Sequence, residues 1–163
     1  MKGDATFSRN MIYRYTLSRD LYPPDQIILN RVVTFICLNP STATATENDP
    51  TVRRCINFAI EWGGSKLYVL NIFAFRGTIP KVLYQVKDPV GPDNDDYIKR
   101  VTDKSDIVVA AWGNHGDYRG RGAAVREMLV GPVCCLGVTH SGQPKHPLYL
   151  RADTPLQPLG SLR

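Results

Sequence analysis

The sequence predicts an α/β fold: a three-layer α/β/α sandwich around a central, mainly parallel sheet of four strands. Two observations predict it. Four short runs, VVTFICL (32–38), KLYVLNIF (66–73), DIVVAAWG (106–113) and PVCCLGV (132–138), are continuously apolar and rich in β-branched or aromatic residues, as strands covered on both faces are. Between them lie segments with helical periodicity, and strands alternating with helices imply βαβ units. The 163 residues, 43% of them hydrophobic, suit one domain spanning 1–163 that buries roughly two thirds of its unfolded surface.

In chain order, YRYTLSRDL (13–21) alternates like a solvated strand or hairpin arm. The first buried strand, VVTFICL, runs into Asn39-Pro40. Proline removes a backbone donor and forces the preceding residue out of the helical region, so Asn39 is held extended at the strand's carboxyl end. A helix follows in NDPTVRRCINFAIEWGG (48–64). Asp49 is its N-cap, Pro50 its first residue, and Val52, Cys55, Ile56, Ala59 and Trp62 its apolar face, with Gly63-Gly64 as the stop. A weaker helix fills about 93–104, with acidic residues at its favourable end, and another lies around 119–130. The tail RADTPLQPLGSLR (151–163) reads as irregular. No internal repeat or low-complexity linker interrupts the pattern.

Composition narrows the function classes. The start MKGDATFSRNMIYRY has no apolar core, and no run of 18 apolar residues occurs, so neither a signal peptide nor a spanning helix is expected and no membrane partner is implied. Cys37, Cys55, Cys134 and Cys135 lie in apolar stretches without metal-ligand spacing; they read as small buried thiols in a reducing compartment, the cytoplasm, with no metal site. A net charge of +5 and a pI near 9.1 favour a polyanion, hence nucleic acid or a nucleotide, as partner. Neither a P-loop nor a dinucleotide fingerprint is present, so no cofactor is expected, and RGRG (119–122) is at most a loop that grips phosphate. The chain is expected to act as a monomer.

Each predicted strand ends in a polar signature: Asn39-Pro40-Ser41 after the first, Asn71 at the end of the second, Trp112-Gly113-Asn114-His115 after the third, and THSGQPKHPLYL (139–150) beyond the fourth. In an open α/β sheet such ends face one crevice, and ligands bind there. Asn39 alone is compatible with a turn residue that caps its own backbone. Asn71, flanked by YVL and IF, needs partners if buried, and is either a structural tie or a reader of a polar ligand edge. His115 and His140 sit in polar loops and read as solvated. His146 differs, because Pro144 and Pro147 restrict the chain on both sides.

These motifs carry a resemblance that spans nearly the whole chain. LNPSTA, DPTVRRC, LYVLNIFAFR, AAWG and GQPKHPLYL resemble a family of small bacterial and phage domains of unknown function. More distantly, CLNP, VLN, AWG and KHPL are similar, in the same order, to the strand-end signatures of the uracil-DNA glycosylase superfamily. Cys37 stands where that superfamily has glycine, Leu148 where it has serine, and STATATEND lacks its aromatic clamp, so the resemblance does not imply uracil as the base.

The resemblance implies cleavage of an N-glycosidic bond, which develops positive charge on the sugar and negative charge on the leaving base. Asn39 would position the water; an amide cannot take up its proton, so its contribution is orientation. Asn71 would read the base edge, with Pro40, Ser41 and Trp112 forming the rest of the pocket. His146 would donate to the developing base oxyanion, and its neutral form suffices if the proton is on the nitrogen facing the ligand. Arg53, Arg54, Arg76, Arg119, Arg121, Lys145 and Arg151 are the candidates for phosphate contacts, while Asp49 is assigned only to the helix cap. Two functions follow: a glycosylase-like enzyme acting on a modified or damaged base or a nucleotide, or a catalytically silent module that binds nucleotides or nucleic acid in the same crevice.

Overall fold

A computed structural model describes residues 1–22 and 29–160. Its elements are β1 (Gly3–Phe7), β2 (Arg14–Asp20), β3 (Val32–Cys37), α1 (Pro50–Glu61), β4 (Lys66–Asn71), α2 (Asn94–Thr102), β5 (Ile107–Ala110), α3 (Arg121–Met128), β6 (Cys134–Cys135) and β7 (Gln157–Pro158). Short 3-10 turns cover Pro80–Tyr84, Asn114–Gly120 and Pro147–Tyr149. All four apolar runs form strands, and all three periodic segments form helices.

The sheet has seven strands where the sequence predicts four, in the order β1-β2-β4-β3-β5-β6-β7. The four foreseen strands are its centre and are mutually parallel. The additions are antiparallel: β1 and β2 on one side, β7 on the other. β1 and β7 escape sequence reading because GDATF and QP are short and carry no hydrophobic period. β2 is mostly buried rather than solvated. Its arginines turn inward: Arg19 donates to the carbonyls of Thr44 and Glu47 and to Asn48 Oδ1, and Arg14 donates to the carbonyl of Ala43.

Alternate residues of the central strands feed two hydrophobic clusters. One joins Val33, Phe35 and Cys37 to Val52, Cys55, Phe58 and Ala59 of α1; the other joins Ile36 and Leu70 to Ile98 of α2 and Val125 of α3. α1 begins as its sequence dictates, with Asp49 Oδ1 accepting the Val52 N–H at 2.8 Å and Pro50 at the first position. Trp62 stands at the C-cap, stacked on Phe35 and Phe58. Among the described residues no helix is long and apolar enough to cross a membrane, and no group of three His, Cys, Asp or Glu side chains is placed to hold a metal ion. The four cysteines are free thiols; Cys37, Cys55 and Cys135 are buried and Cys134 is half-buried. Burial pushes the Cys55 and Cys134 thiols up, away from the reactive thiolate.

Beyond β5 the chain folds tightly over the indole of Trp112, which is 1% exposed. A methyl group at Gly116 would collide with that ring, and the ring is held in place because its Nε1 donates to Gln143 Oε1 at 2.9 Å. Gly116→Ala is therefore expected to destabilise the fold by about 1–3 kcal/mol, measured as a lower urea midpoint; an unchanged midpoint would show that the turn can move aside.

Candidate functional site

A cleft of about 600 Å³ opens at the carboxyl ends of the parallel strands. β3 contributes Leu38, Asn39, Ser41 and Thr42; β4 contributes Asn71; β5 contributes Trp112, Gly113, Asn114 and His115; and the segment beyond β6 contributes His146, Leu148 and Tyr149. The strand order places the cleft where a doubly wound sheet binds ligands, because the chain leaves β3 toward β4 on one side and leaves β5 toward β6 on the other.

Asn39 is half-buried, and its Nδ2 donates to the Gly77 carbonyl at 2.9 Å. The Gly77 N–H in turn donates to the Pro40 carbonyl at 2.9 Å. This two-way tie fastens the loop after β3 to the segment after β4 and leaves Asn39 Oδ1 as the free half of the amide. Pro40 is buried and does not line the cleft; it acts through the backbone, whereas Ser41 and Trp112 do form part of the wall.

Asn71 is 2% exposed, and its Nδ2 is sealed from solvent with no hydrogen-bond partner among the described residues. Its backbone carbonyl is occupied, accepting from Asn94 Nδ2 at 3.0 Å. A buried, unpaired amide costs about 1–3 kcal/mol. Asn94, whose nitrogen pins α2 to the end of β4, likewise has a buried Oδ1 without a partner among the described residues, so the stability of Asn71→Leu is what separates a tie from a ligand reader.

His146 is half-buried and caps the turn Pro147–Tyr149, its Nδ1 accepting the Leu148 N–H at 3.3 Å. That bond assigns the proton of the neutral ring to Nε2, leaving an N–H donor. Burial pushes the His146 pKa below its ordinary 6.5, against the opposing pull of Asp49. The loop is braced on three sides: the Gly113 N–H donates to the Pro144 carbonyl at 2.8 Å, Trp112 holds Gln143, and Arg54 donates to the Leu150 carbonyl.

The arginines proposed for phosphate are mostly engaged within the protein. Arg121 is 7% exposed, paired with Asp95 and bonded to the Ile72 carbonyl; it is a structural tie with no free face for a phosphate. Arg54 holds Leu150 and lies over the Phe58 ring. Arg76 donates to the Met11 carbonyl, Arg119 to that of Lys87, and Arg151 pairs with Asp153. Arg53 is exposed, with one bond to the Asn48 carbonyl, and Lys145 is exposed. None of these lines the cleft.

Arg14 and Asp49 do line it, and the sequence reading assigned neither to the site. Arg14 is 2% exposed, and burial pushes its pKa down to about 10 despite the favourable charge of Asp49, so it remains a cation at neutral pH. No periodicity marks it, since an arginine heading a strand reads as solvent-facing. Asp49 carried one signal, its place at the end of the loop that Asn39 opens. His115, read as solvated, stands on the rim with its Nδ1 bonded to the Tyr84 hydroxyl at 2.8 Å.

Residues 14–148 match a family described as a protein of unknown function, DUF1643. The chain belongs to this family. No curated protein and no solved structure matches the chain.

Two expectations follow from the geometry. Asn71→Leu removes an unpaired amide at nearly constant volume, so the unfolding midpoint is expected to hold or to rise by up to about 1 kcal/mol of stability; a loss of about 2 kcal/mol or more would make Asn71 a core tie after all. For His146, whose native pKa is depressed, the unfolded chain takes up the proton first as pH falls. Its contribution to stability is therefore complete above about pH 6.5 and is lost as pH falls toward the native value. Chemical denaturation at about pH 7.5 and 5.5 is expected to show a smaller loss for His146→Gln than for the unaltered chain, and equal losses would contradict the depressed pKa.

Proposed function

We propose that the chain is a glycosylase-like hydrolase that binds a modified or damaged base, in nucleic acid or as a nucleotide, and cleaves its N-glycosidic bond. The observation that carries this reading is the convergence of Asn39, Asn71 and His146 on one cleft at the strand ends, with the Asn71 amide buried and unpaired. The Asn71 amide, which carries both a donor and an acceptor, would read the base edge. Asn39 Oδ1, its own nitrogen already engaged by Gly77, would accept a hydrogen bond from the water and orient it. Neutral His146, with the proton on Nε2, would donate to the oxygen of the leaving base, a role that requires no protonation at neutral pH.

The two hydrophobic clusters on a mainly parallel central sheet support reading the architecture as a three-layer sandwich of the uracil-DNA glycosylase type. Arg53, Arg119 and Lys145, all exposed and none of them in an ion pair among the described residues, are the candidates best placed to meet phosphates under this reading, so salt is expected to weaken binding.

The test is incubation with single- and double-stranded oligonucleotides that carry deaminated or alkylated bases, and with the matching nucleotides, followed by alkali and a search for abasic breaks or free base. Release supports the hydrolase; tight binding without release would replace it with a binding module. On a released base, His146→Ala is expected to lower the single-turnover rate by about 10²-fold while affinity holds. Full retention of rate would remove His146 from the chemistry.

A further inference from the structure

Among the described residues lining the cleft, Asp49 is the only carboxylate. It is 8% exposed, and one of its oxygens is committed, Oδ1 accepting the Val52 N–H at 2.8 Å. The second oxygen, Oδ2, has no hydrogen-bond partner among the described residues. The cap bond fixes the rotamer and Pro50 fixes the backbone beside it, so the carboxylate is held still at the cleft wall. Its charge reaches both Arg14 and His146, drawing each toward its protonated form. Asn71, 2% exposed and with no partner for its Nδ2 among the described residues, lines the same cleft.

We propose that Asp49, through Oδ2, is the proton acceptor for the attacking water in this cleft, an inference that rests on the hydrolase reading above. Asn39 orients that water but has no means of taking its proton, whereas a carboxylate does. In the step, the water oxygen bonds to the anomeric carbon and the C–N bond breaks, its electron pair leaving with the base. The water proton passes to Asp49 Oδ2 and then to the departed base or to solvent, which restores the carboxylate. His146 donates to the base oxygen as negative charge collects there, and Arg14 supplies a fixed positive charge on the wall it shares with Asp49. Capping and catalysis use different oxygens of one side chain, which explains why the sequence pattern shows only the cap.

The competing account is that Asp49 caps α1 and does nothing else. Asparagine and serine cap as well as aspartate, so Asp49→Asn and Asp49→Ser preserve the helix start while removing the proton acceptor, together with the negative charge near Arg14 and His146. Both variants are compared with the unaltered chain for melting temperature, affinity for the oligonucleotide that the chain cleaves, and single-turnover release of its base. Expected is a rate lower by about 10²- to 10⁴-fold in both, with affinity held and a loss of rate far beyond any fall in melting temperature. Release within about threefold of the unaltered rate in either folded variant overturns the role of Asp49 and leaves the hydrolase reading standing. A rate that falls only in step with the melting temperature overturns it too, by showing that the cap alone mattered. Absence of release by the unaltered chain from every substrate overturns both.

Discussion

β3 is bound on both edges by parallel partners, β4 and β5, in register over Val32–Cys37 and Val33–Ile36. Parallel neighbours cannot be joined by a hairpin, so each connection must cross a face of the sheet. The chain crosses once with α1 to reach β4 and again with α2 to reach β5. The loops that leave β3 and β5 therefore diverge, opening a gap at the carboxyl end that no strand fills. The positions of Asn39 and Trp112, the two apolar clusters and the cleft itself all follow from that pairing. Asn39-Pro40 stops β3 at the mouth of the gap, because proline cannot donate to a longer ladder.

A gap of this kind stays open only if its walls are held, and much of the chain's basic charge is used to hold them. Arg19 and Arg14 reach from β2 to the loop 43–48, Arg54 fastens the segment after His146, and Arg121 joins α3 to the end of β4. Arginine suits these positions because its several fixed donors can satisfy more than one carbonyl that turns away from regular structure. The net charge of +5 is thus a poor guide to partners: many guanidinium groups that a composition argument directs at phosphate are bonded to the protein's own backbone.

This also explains which features the sequence displayed. The central strands, α1 with its Asp49 cap and Pro50, and the clustering of strand-end signatures were legible because each is a local rule: an apolar run, a cap, a proline stop. β2 was recognised as a strand but misplaced as solvated, since what buries Arg14 and Arg19 is a loop some 25 residues away and no periodicity encodes it. Arg121 was misread for the same reason, its partner Asp95 belonging to a different helix. Asp49 failed differently. Its cap was correctly read, and that evident task masked the one other signal it carried, its place at the end of the loop that Asn39 opens, until its cleft neighbours were assembled.

Asn71 and Asn94 are two almost wholly buried amides that meet their hydrogen-bonding needs differently. The Nδ2 of Asn94 donates to the carbonyls of Asn71 and Ile72, pinning α2 to the end of β4 where the ladder stops, while its Oδ1 has no partner among the described residues. Asn71 has the opposite half unmet: its nitrogen is enclosed without a partner among the described residues, in a side chain that lines the cleft. Leucine would fill that space without the roughly 1–3 kcal/mol cost of an unmet polar group. Under the proposed hydrolase reading, a base edge that pairs with this amide would offset that cost. A ligand that presents an apolar edge there would leave the amide sealed without water or partner, so Asn71 would tie discrimination to a hydrogen bond that the folded chain, held by the bracing of its loops, does not complete by itself.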